Sequence, residues 1–297
     1  MKLADFLSSG DEVKTVVVVK AEHLNTLITV HQALEKGIAH FILIGDLEHI
    51  KRIADEHDLD VTASDIIDEG DEHKAAKIAA RLAAHQNAQV VMKGNVHTSV
   101  FTRALLDKTY GLNSQGNLIS HAALFALKKY HKPLIITDGA LNIAPDLEKK
   151  KGILMNALAV ARSLGIDAPK VACIAPVEKV NDKLESTVHA RKLVLIQQHE
   201  HIFGNAVIEG PLAFDAAMSH SAAEGKGIEG VVPGDADILL FPCLDSANAV
   251  YKTLSLFGEA DHAGILAGLS VPAVLTSRSD TSEVRMNSLR FALAASR

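Results

Sequence analysis

The chain has 297 residues, 48% of them hydrophobic but only 4% aromatic and none tryptophan, so Ala, Val, Ile and Leu must fill a sizeable core divided between two domains. Lys and Arg number 30 against 36 Asp and Glu, a net charge of −6 that excludes a general nucleic-acid binder with a basic face but leaves room for a small anionic ligand. Cys173 and Cys243 form no spaced cluster, the N-terminus lacks the apolar core of a signal peptide, and no apolar run is long enough for a bilayer. The expectation is a soluble cytoplasmic protein with no disulfide framework and no membrane or nucleic-acid partner.

Short β-branched runs alternate with longer Ala-rich periodic ones. In chain order the pattern predicts a strand over Thr15–Val19, a helix over Leu24–Lys36, a strand over Phe41–Ile44 and helices over Leu47–Glu56 and Glu72–Gln86. A strand over Gln89–Met92 leads to a helix over Ser99–Lys108, and one over Pro133–Thr137 to a helix over Ala144–Leu164. Strands follow at Val171–Ile174 and Phe203–Ile208, then a helix over Leu212–Ala223. Ile238–Phe241 and Val271–Leu275 read as strands, Ala247–Phe257 and Val284–Ala295 as helices. The alternation implies βαβ units and mainly parallel sheets in an α/β protein. A boundary falls near His131–Pro133, giving one domain of residues 1–132 plus 270–297 and a second of 133–269.

Several motifs carry little. Gly225-Lys226-Gly227-Ile228-Glu229-Gly230 spells GxGxxG, but it follows a helix-like stretch instead of a strand and opens no helix, so it reads as a connector. It fails as a P-loop as well, because Gly227 stands where Ser or Thr is needed. The 15 histidines are scattered without ligand spacing and read as solvated or edge side chains, with His199 and His201 in a surface turn. No GxSxG elbow appears.

Turns at strand ends carry more, because open α/β sheets bind ligands at the carboxyl ends of their strands. The segment Lys93-Gly94-Asn95-Val96-His97-Thr98-Ser99 leads to Arg103, one turn into a helix, although Thr98 and Ser99 also suit plain helix caps. Thr137-Asp138-Gly139-Ala140-Leu141-Asn142 and Glu209-Gly210-Pro211 with Asp215 are further polar turns. In Pro242-Cys243-Leu244-Asp245-Ser246-Ala247-Asn248, Asp245 or Ser246 can cap the next helix, and Asn248 shares a helix face with Lys252. The last turn, Thr276-Ser277-Arg278-Ser279-Asp280-Thr281-Ser282-Glu283, joins hydroxyls, a guanidinium and carboxylates at a helix start. That chemistry suits a phosphate, which a guanidinium grips in bidentate fashion.

Together these residues resemble the phosphate acetyl/butyryl transferase family, over nearly the whole chain and most strongly from Thr137 onward. The wording around Ser277-Arg278 looks closer to the butyryl branch. The resemblance implies a two-domain, three-layer α/β fold similar to isocitrate/isopropylmalate dehydrogenase, with an interdomain cleft. It implies the reaction acyl-CoA + phosphate ⇌ acyl phosphate + CoA by direct attack in a ternary complex. Coenzyme A and phosphate enter as substrates, with no cofactor and no metal, in a homodimer. Residue by residue it implies that Ser277 hydrogen-bonds the reacting groups and Arg278 holds phosphate or developing negative charge. Lys93, Thr98, Arg103, Asp138, Asn142, Asn248 and Lys252 are implied as substrate-binding.

The acetyl branch carries a carboxylate seven residues after the serine, and Val284 stands there instead. Asp280 or Glu283 can replace it. Were a helix to start near Asp280, Asp280 would share a face with Val284, while Glu283 would turn about 100° away. A capping pair, Asp280 at the cap and Glu283 three residues on, competes with both roles. Three rivals remain open: a phosphate acetyltransferase, an NAD(P)-dependent dehydrogenase of similar fold, and an acyl-CoA-binding protein without turnover, which Val284 favours.

Overall fold

A computed structural model describes residues 2–7, 13–110, 112–113, 116–275 and 280–296. The chain runs α1 (Leu3–Phe6), β1 (Lys14–Val19), α2 (Leu24–Glu35), β2 (Ala39–Gly45), α3 (Leu47–Glu56), β3 (Asp65–Asp68), α4 (Glu72–Ala84), β4 (Val90–Lys93) and α5 (Thr98–Leu106). It continues through β5 (Ser120–Ala126), β6 (Leu134–Thr137), α6 (Leu147–Ser163), β7 (Lys170–Ile174), α7 (Glu185–Glu200), β8 (Val207–Leu212), α8 (Phe214–Met218) and α9 (His220–Gly225). The last elements are β9 (Ile238–Leu240), α10 (Leu244–Phe257), β10 (Asp261–Ala267), β11 (Ala273–Val274) and α11 (Ser282–Ala295).

Two compact units result, one of residues 4–117 with 263–297, the other of 118–262 with 1–3. In the first, the strands lie in the order β3-β2-β1-β4-β11-β10. All its pairings are parallel except β10 with β11. β1 ends in Val16–Val19, all fully buried, and every residue of β4 is buried, as a parallel sheet covered on both faces requires. The helix α11 packs on α2 and β4. Asp46 and Asp71 cap α3 and α4 by accepting from the His49 and Lys74 amides, each at 2.8 Å.

The second unit orders its strands β5-β6-β9-β7-β8, with β5 antiparallel to β6 and the rest parallel. Phe125, Leu134, Ile136, Ala172, Leu239 and Phe241 meet in its core. Asp146 caps α6 by accepting from the Lys149 amide at 2.8 Å.

Several elements differ from the sequence expectation. β3, β5 and β10 are strands that the pattern did not predict. β5 reads Ser-His-Ala-Ala-Leu-Phe-Ala, without one β-branched residue, and it is a strand because all of it is buried beside β6. The strand expected over Phe203–Ile208 begins at Val207, since Gly204 takes a positive φ of 65°. The helix expected over Leu212–Ala223 is broken: Leu212 closes β8, and Ser219 is extended and caps α9. α7 was not anticipated, and His199 and Glu200 form its last turn instead of a surface turn. His201 is its left-handed C-cap, at φ 52°. The Gly225–Gly230 stretch closes α9 and opens no helix, as its lack of a preceding strand required.

Candidate active site

Within the 118–262 unit, β6 delivers Asp138 at its carboxyl end, 3% exposed. Its carboxylate organises the loop that follows. Oδ1 accepts from the amides of Ala140 at 2.9 Å and Leu141 at 3.0 Å, and Oδ2 from the Asn142 amide at 3.3 Å. The Asn142 side chain donates to Asp138 Oδ2 at 2.6 Å and to the Ile119 carbonyl at 3.0 Å. With so many donors on it, the Asp138 carboxylate acts as the anchor of its loop.

β9 runs parallel to β6, so its own exit lies at the same sheet end and opens α10 there. The N-cap is Cys243, not Asp245 or Ser246, and it makes no side-chain cap bond. Ser246 Oγ donates back to the Cys243 carbonyl at 2.9 Å. One turn in, Asn248 Nδ2 donates to the Gly139 carbonyl at 2.9 Å and ties α10 to the Asp138 loop. Lys252, exposed on the same face, lies 5.4 Å from the centroid of the Tyr251 ring. The fold therefore gathers Asp138, Asn142 and Asn248, with Asn248 joined through Gly139 across 109 positions of sequence, while Lys252 lies a turn further along α10.

A layer of rings backs this cluster. His121 on β5 meets Tyr251 edge-on at 5.8 Å, Phe125 meets it at 5.5 Å, and His262 at 5.8 Å. His121 is 6% exposed, and its Nδ1 lies 3.9 Å from where a Gly139 Cβ would sit. His121 and His189, the latter 8% exposed, correct the expectation that the histidines are solvated or at edges. Their sequence surroundings gave no such signal, because β5 was not recognisable as a strand nor α7 as a helix.

In the other unit, β4 ends at Lys93, which is buried and donates from Nζ to the Gly94 carbonyl at 3.3 Å. The turn after it is pinned to β1: the Gly94 amide donates to the Val19 carbonyl at 2.9 Å and the Asn95 amide to the Lys20 carbonyl at 2.7 Å. A Cβ on Gly94 would lie 2.2 Å from the Lys20 carbonyl oxygen, so only glycine fits. His97, not Thr98 or Ser99, is the N-cap of α5, and it makes no side-chain cap bond. Thr98 and Arg103 are both exposed on α5.

Sequence reasoning missed Lys20 and Glu22 here. Lys20 takes a left-handed φ of 57°, an uncommon conformation for a residue with a side chain. Its amine donates to the Gly70 carbonyl at 2.6 Å and pairs with the buried Glu22 carboxylate. Glu22 Oε2 would collide with a Cβ on Gly45. A positive φ before an Ala-Glu-His stretch leaves no sequence signature.

β11 is parallel to β4, with Val274 opposite Met92, so the chain leaves it at the end that carries Lys93. Ser277 and Arg278 follow, and both lie outside the described residues. The chain is described again from Asp280, which is half-buried. α11 starts at Ser282 with Thr281 as its cap, its Oγ1 accepting from the Val284 amide at 3.3 Å. Asp280 is thus outside the helix and does not share a helical face with Val284, and the cap belongs to Thr281 instead of an Asp280–Glu283 pair. Glu283 is exposed in the first turn. Burial lowers the pKa of Arg285, and the charge of Asp280 opposes that shift.

A family profile described as "Phosphate acetyl/butaryl transferase" matches residues 72–294. The chain belongs to this family. It is 42% identical over 290 residues to the phosphate butyryltransferase of Clostridium beijerinckii, covering 97% of this chain and 95% of that one. A branched-chain phosphotransacylase from Enterococcus faecalis superposes with a TM-score of 0.84 at 33% identity, over 95% of this chain and 99% of that one. A 4-hydroxythreonine-4-phosphate dehydrogenase from Burkholderia phymatum shares the fold at a TM-score of 0.59 and 12% identity, over 96% and 99% of the two chains. The mainly parallel α/β architecture is therefore common to phosphotransacylases and a dehydrogenase. Among the described residues no helix is long and apolar enough to cross a membrane.

Proposed function

We propose that the protein transfers a short acyl group, butyryl by preference, between coenzyme A and inorganic phosphate: acyl-CoA + phosphate ⇌ acyl phosphate + CoA. The observation that carries this reading is the 42% identity to a phosphate butyryltransferase over nearly the full length of both chains. The gathered polar turn of Asp138, Asn142 and Asn248 supports it.

The chemistry needs no covalent enzyme intermediate. Phosphate oxygen attacks the thioester carbon, the carbonyl oxygen gains negative charge, and the carbon–sulfur bond breaks to release CoA thiolate. Holding both substrates together replaces a rare encounter by a local one. Fixed donors offset the developing charge, the role assigned to Ser277 and Arg278. The buried Lys93 and the exposed Arg103 and Lys252 supply positive charge for the anionic substrates. A thiol with a pKa near ~8.5, by analogy with cysteine, leaves with modest help. Val284 in the carboxylate position is then tolerable, and Asp280, just ahead of the α11 cap, is preferred over Glu283 as the proton carrier. The same reading makes the enzyme a cytoplasmic homodimer that works without metal or cofactor.

The test is a substrate panel. Purified protein should release thiol from butyryl-CoA only when phosphate is present, and faster than from acetyl-CoA. Absence of phosphate-dependent release across two- to five-carbon acyl-CoAs would refute the proposal. Acetyl-CoA as the best substrate would move the assignment to the acetyl branch.

A further inference from the structure

Lys150 on α6 and His189 on α7 lie behind the Asp138 loop, both buried, at 5% and 8% exposure. Lys150 Nζ donates to the Pro145 carbonyl at 2.8 Å and meets His189 Nδ1 at 3.0 Å. Pro145 closes the loop that begins at Asp138, so the lysine grips the far end of the segment whose near end the Asp138 carboxylate organises. Lys150, His189, Cys173 and Pro242 line one small cavity of about 10 Å³. Pro242 is the residue before Cys243, the N-cap of α10. The pair therefore lies against both segments that carry the candidate site, the 138–145 loop and the entry to α10.

A lysine has donors and no acceptor, so the contact at Nδ1 requires that nitrogen to be unprotonated and the proton to sit on Nε2. Nε2 in turn is 3.8 Å from Glu185. Protonating Nδ1 would put two cations in contact in a buried place and expel one of them.

We infer that Lys150 and His189 are a positioning pair for acyl transfer, which holds the 138–145 loop and the start of α10 in working register while His189 is neutral. The inference rests on the proposed placing of the site around Asp138, Asn142 and Asn248. Neither residue touches the reacting atoms, and each acts through the Pro145 carbonyl and the β9–α10 turn.

The charged and titratable groups around the pair are Asp146 on α6, Glu185 and Lys192 on α7, Cys173 on β7 and Cys243 at the α10 cap. Burial, and then the Lys150 charge, lower the His189 pKa against the pull of Glu185. The histidine is therefore neutral at neutral pH, and the pair opens only as pH falls below the ordinary histidine range near ~6.5.

The experiment uses the full chain with butyryl-CoA and phosphate, reading kcat and KM between about pH 5.5 and 8, a window spanning the histidine range. His189→Leu and Lys150→Met should each lower kcat at neutral pH by about tenfold while leaving KM for butyryl-CoA within about twofold, because loop register is lost and ligand contacts are not. The double variant should be no worse than either single one, since both remove the same contact. His189→Gln supplies a side-chain oxygen to Lys150, so it should restore most of kcat and remove the part of the acid limb that belongs to His189. Parental kcat in His189→Leu, multiplicative losses in the double variant, or a His189→Gln enzyme as slow as His189→Leu would each overturn the inference. If Lys150→Met does not fold, the Leu and Gln variants at His189 decide it alone. Asn248→Ala reads the site itself: parental kinetics there would refute the site, whereas a slow Asn248→Ala beside a normal His189→Leu would refute the pair.

Discussion

Asn248 and Gly139, 109 positions apart, are joined by a hydrogen bond of 2.9 Å from the Asn248 side-chain amide to the Gly139 carbonyl. It couples the first turn of α10 to the loop whose amides converge on Asp138. Removing that donor takes away the side-chain tie and leaves the loop anchored at Asp138 and joined to the start of α10 through the Leu244 amide, which donates to the Ile143 carbonyl at 2.9 Å. Asn248→Ala should lower kcat/KM for butyryl-CoA by about tenfold, equivalent to ~1.4 kcal/mol, the scale of one hydrogen bond. Steady-state thiol release measures it, and an unchanged kcat/KM would remove the link from the working site.

Glycine is required at position 94 and replaceable at position 139. A Cβ on Gly94 would sit 2.2 Å from the Lys20 carbonyl oxygen and 2.7 Å from that of Val19, both backbone atoms that cannot swing aside. Gly94→Ala should destabilise the fold by about 1–3 kcal/mol, the cost of forcing extra volume into packed structure. At Gly139 the nearest atoms to a Cβ are 3.8 Å away, so Gly139→Ala should leave the unfolding midpoint nearly unchanged. Urea unfolding of the two variants side by side checks both statements, and equal midpoints would contradict them.

Much of the fold is legible in the chain because strands such as Val16–Val19 and Val90–Met92 are unbroken apolar runs and the caps Asp71 and Asp146 fall where helices begin. β5 is not legible, since Ser120–Ala126 owes its extended form to burial beside β6. The polar turns at Lys93, Asp138 and Pro242 can be read as candidates one by one, and they follow strand ends as such turns should, with Asn248 one turn into the helix after the last of them. Their division of labour cannot be read: the Asp138 carboxylate is spent on its own loop, and Lys20, Glu22, His121 and His189 acquire their surroundings only when distant segments pack.

Asp235 gives the 118–262 unit a defined acid response. Burial raises its pKa, but hydrogen bonds from Lys132, Lys170 and His131 outweigh burial and hold the carboxyl well below the usual carboxylate range. Its contacts include Lys132 at 2.8 Å and His131 at 2.7 Å. A depressed folded pKa stabilises the native state at pH above the unfolded value near ~3.9, and that stability is lost as pH falls below it. Asp235→Asn should therefore cost roughly 1–2 kcal/mol at pH 7, discounted for partial exposure, and little below about pH 2. Chemical unfolding from pH 2 to pH 7 tests this, and a loss that does not vary with pH would contradict it.

The two cysteines should differ in reactivity. Burial pushes the Cys173 thiol up to about 12, whereas Cys243 is half-buried at the start of α10. Only a thiolate reacts readily with aromatic disulfides. Native protein should thus show one titratable thiol that disappears in Cys243→Ser, with Cys173 appearing only on denaturation. Two thiols reacting at equal rates in the native protein would contradict the placing of Cys173.

The most direct measurement is phosphorus NMR of the complete reaction with butyryl-CoA, inorganic phosphate and enzyme. Transfer to phosphate predicts a butyryl phosphate signal that grows in step with free CoA thiol, and loss of both in Arg278→Ala. Thiol released with free butyrate and no acyl phosphate signal would show that water, not phosphate, is the acceptor and would contradict the account.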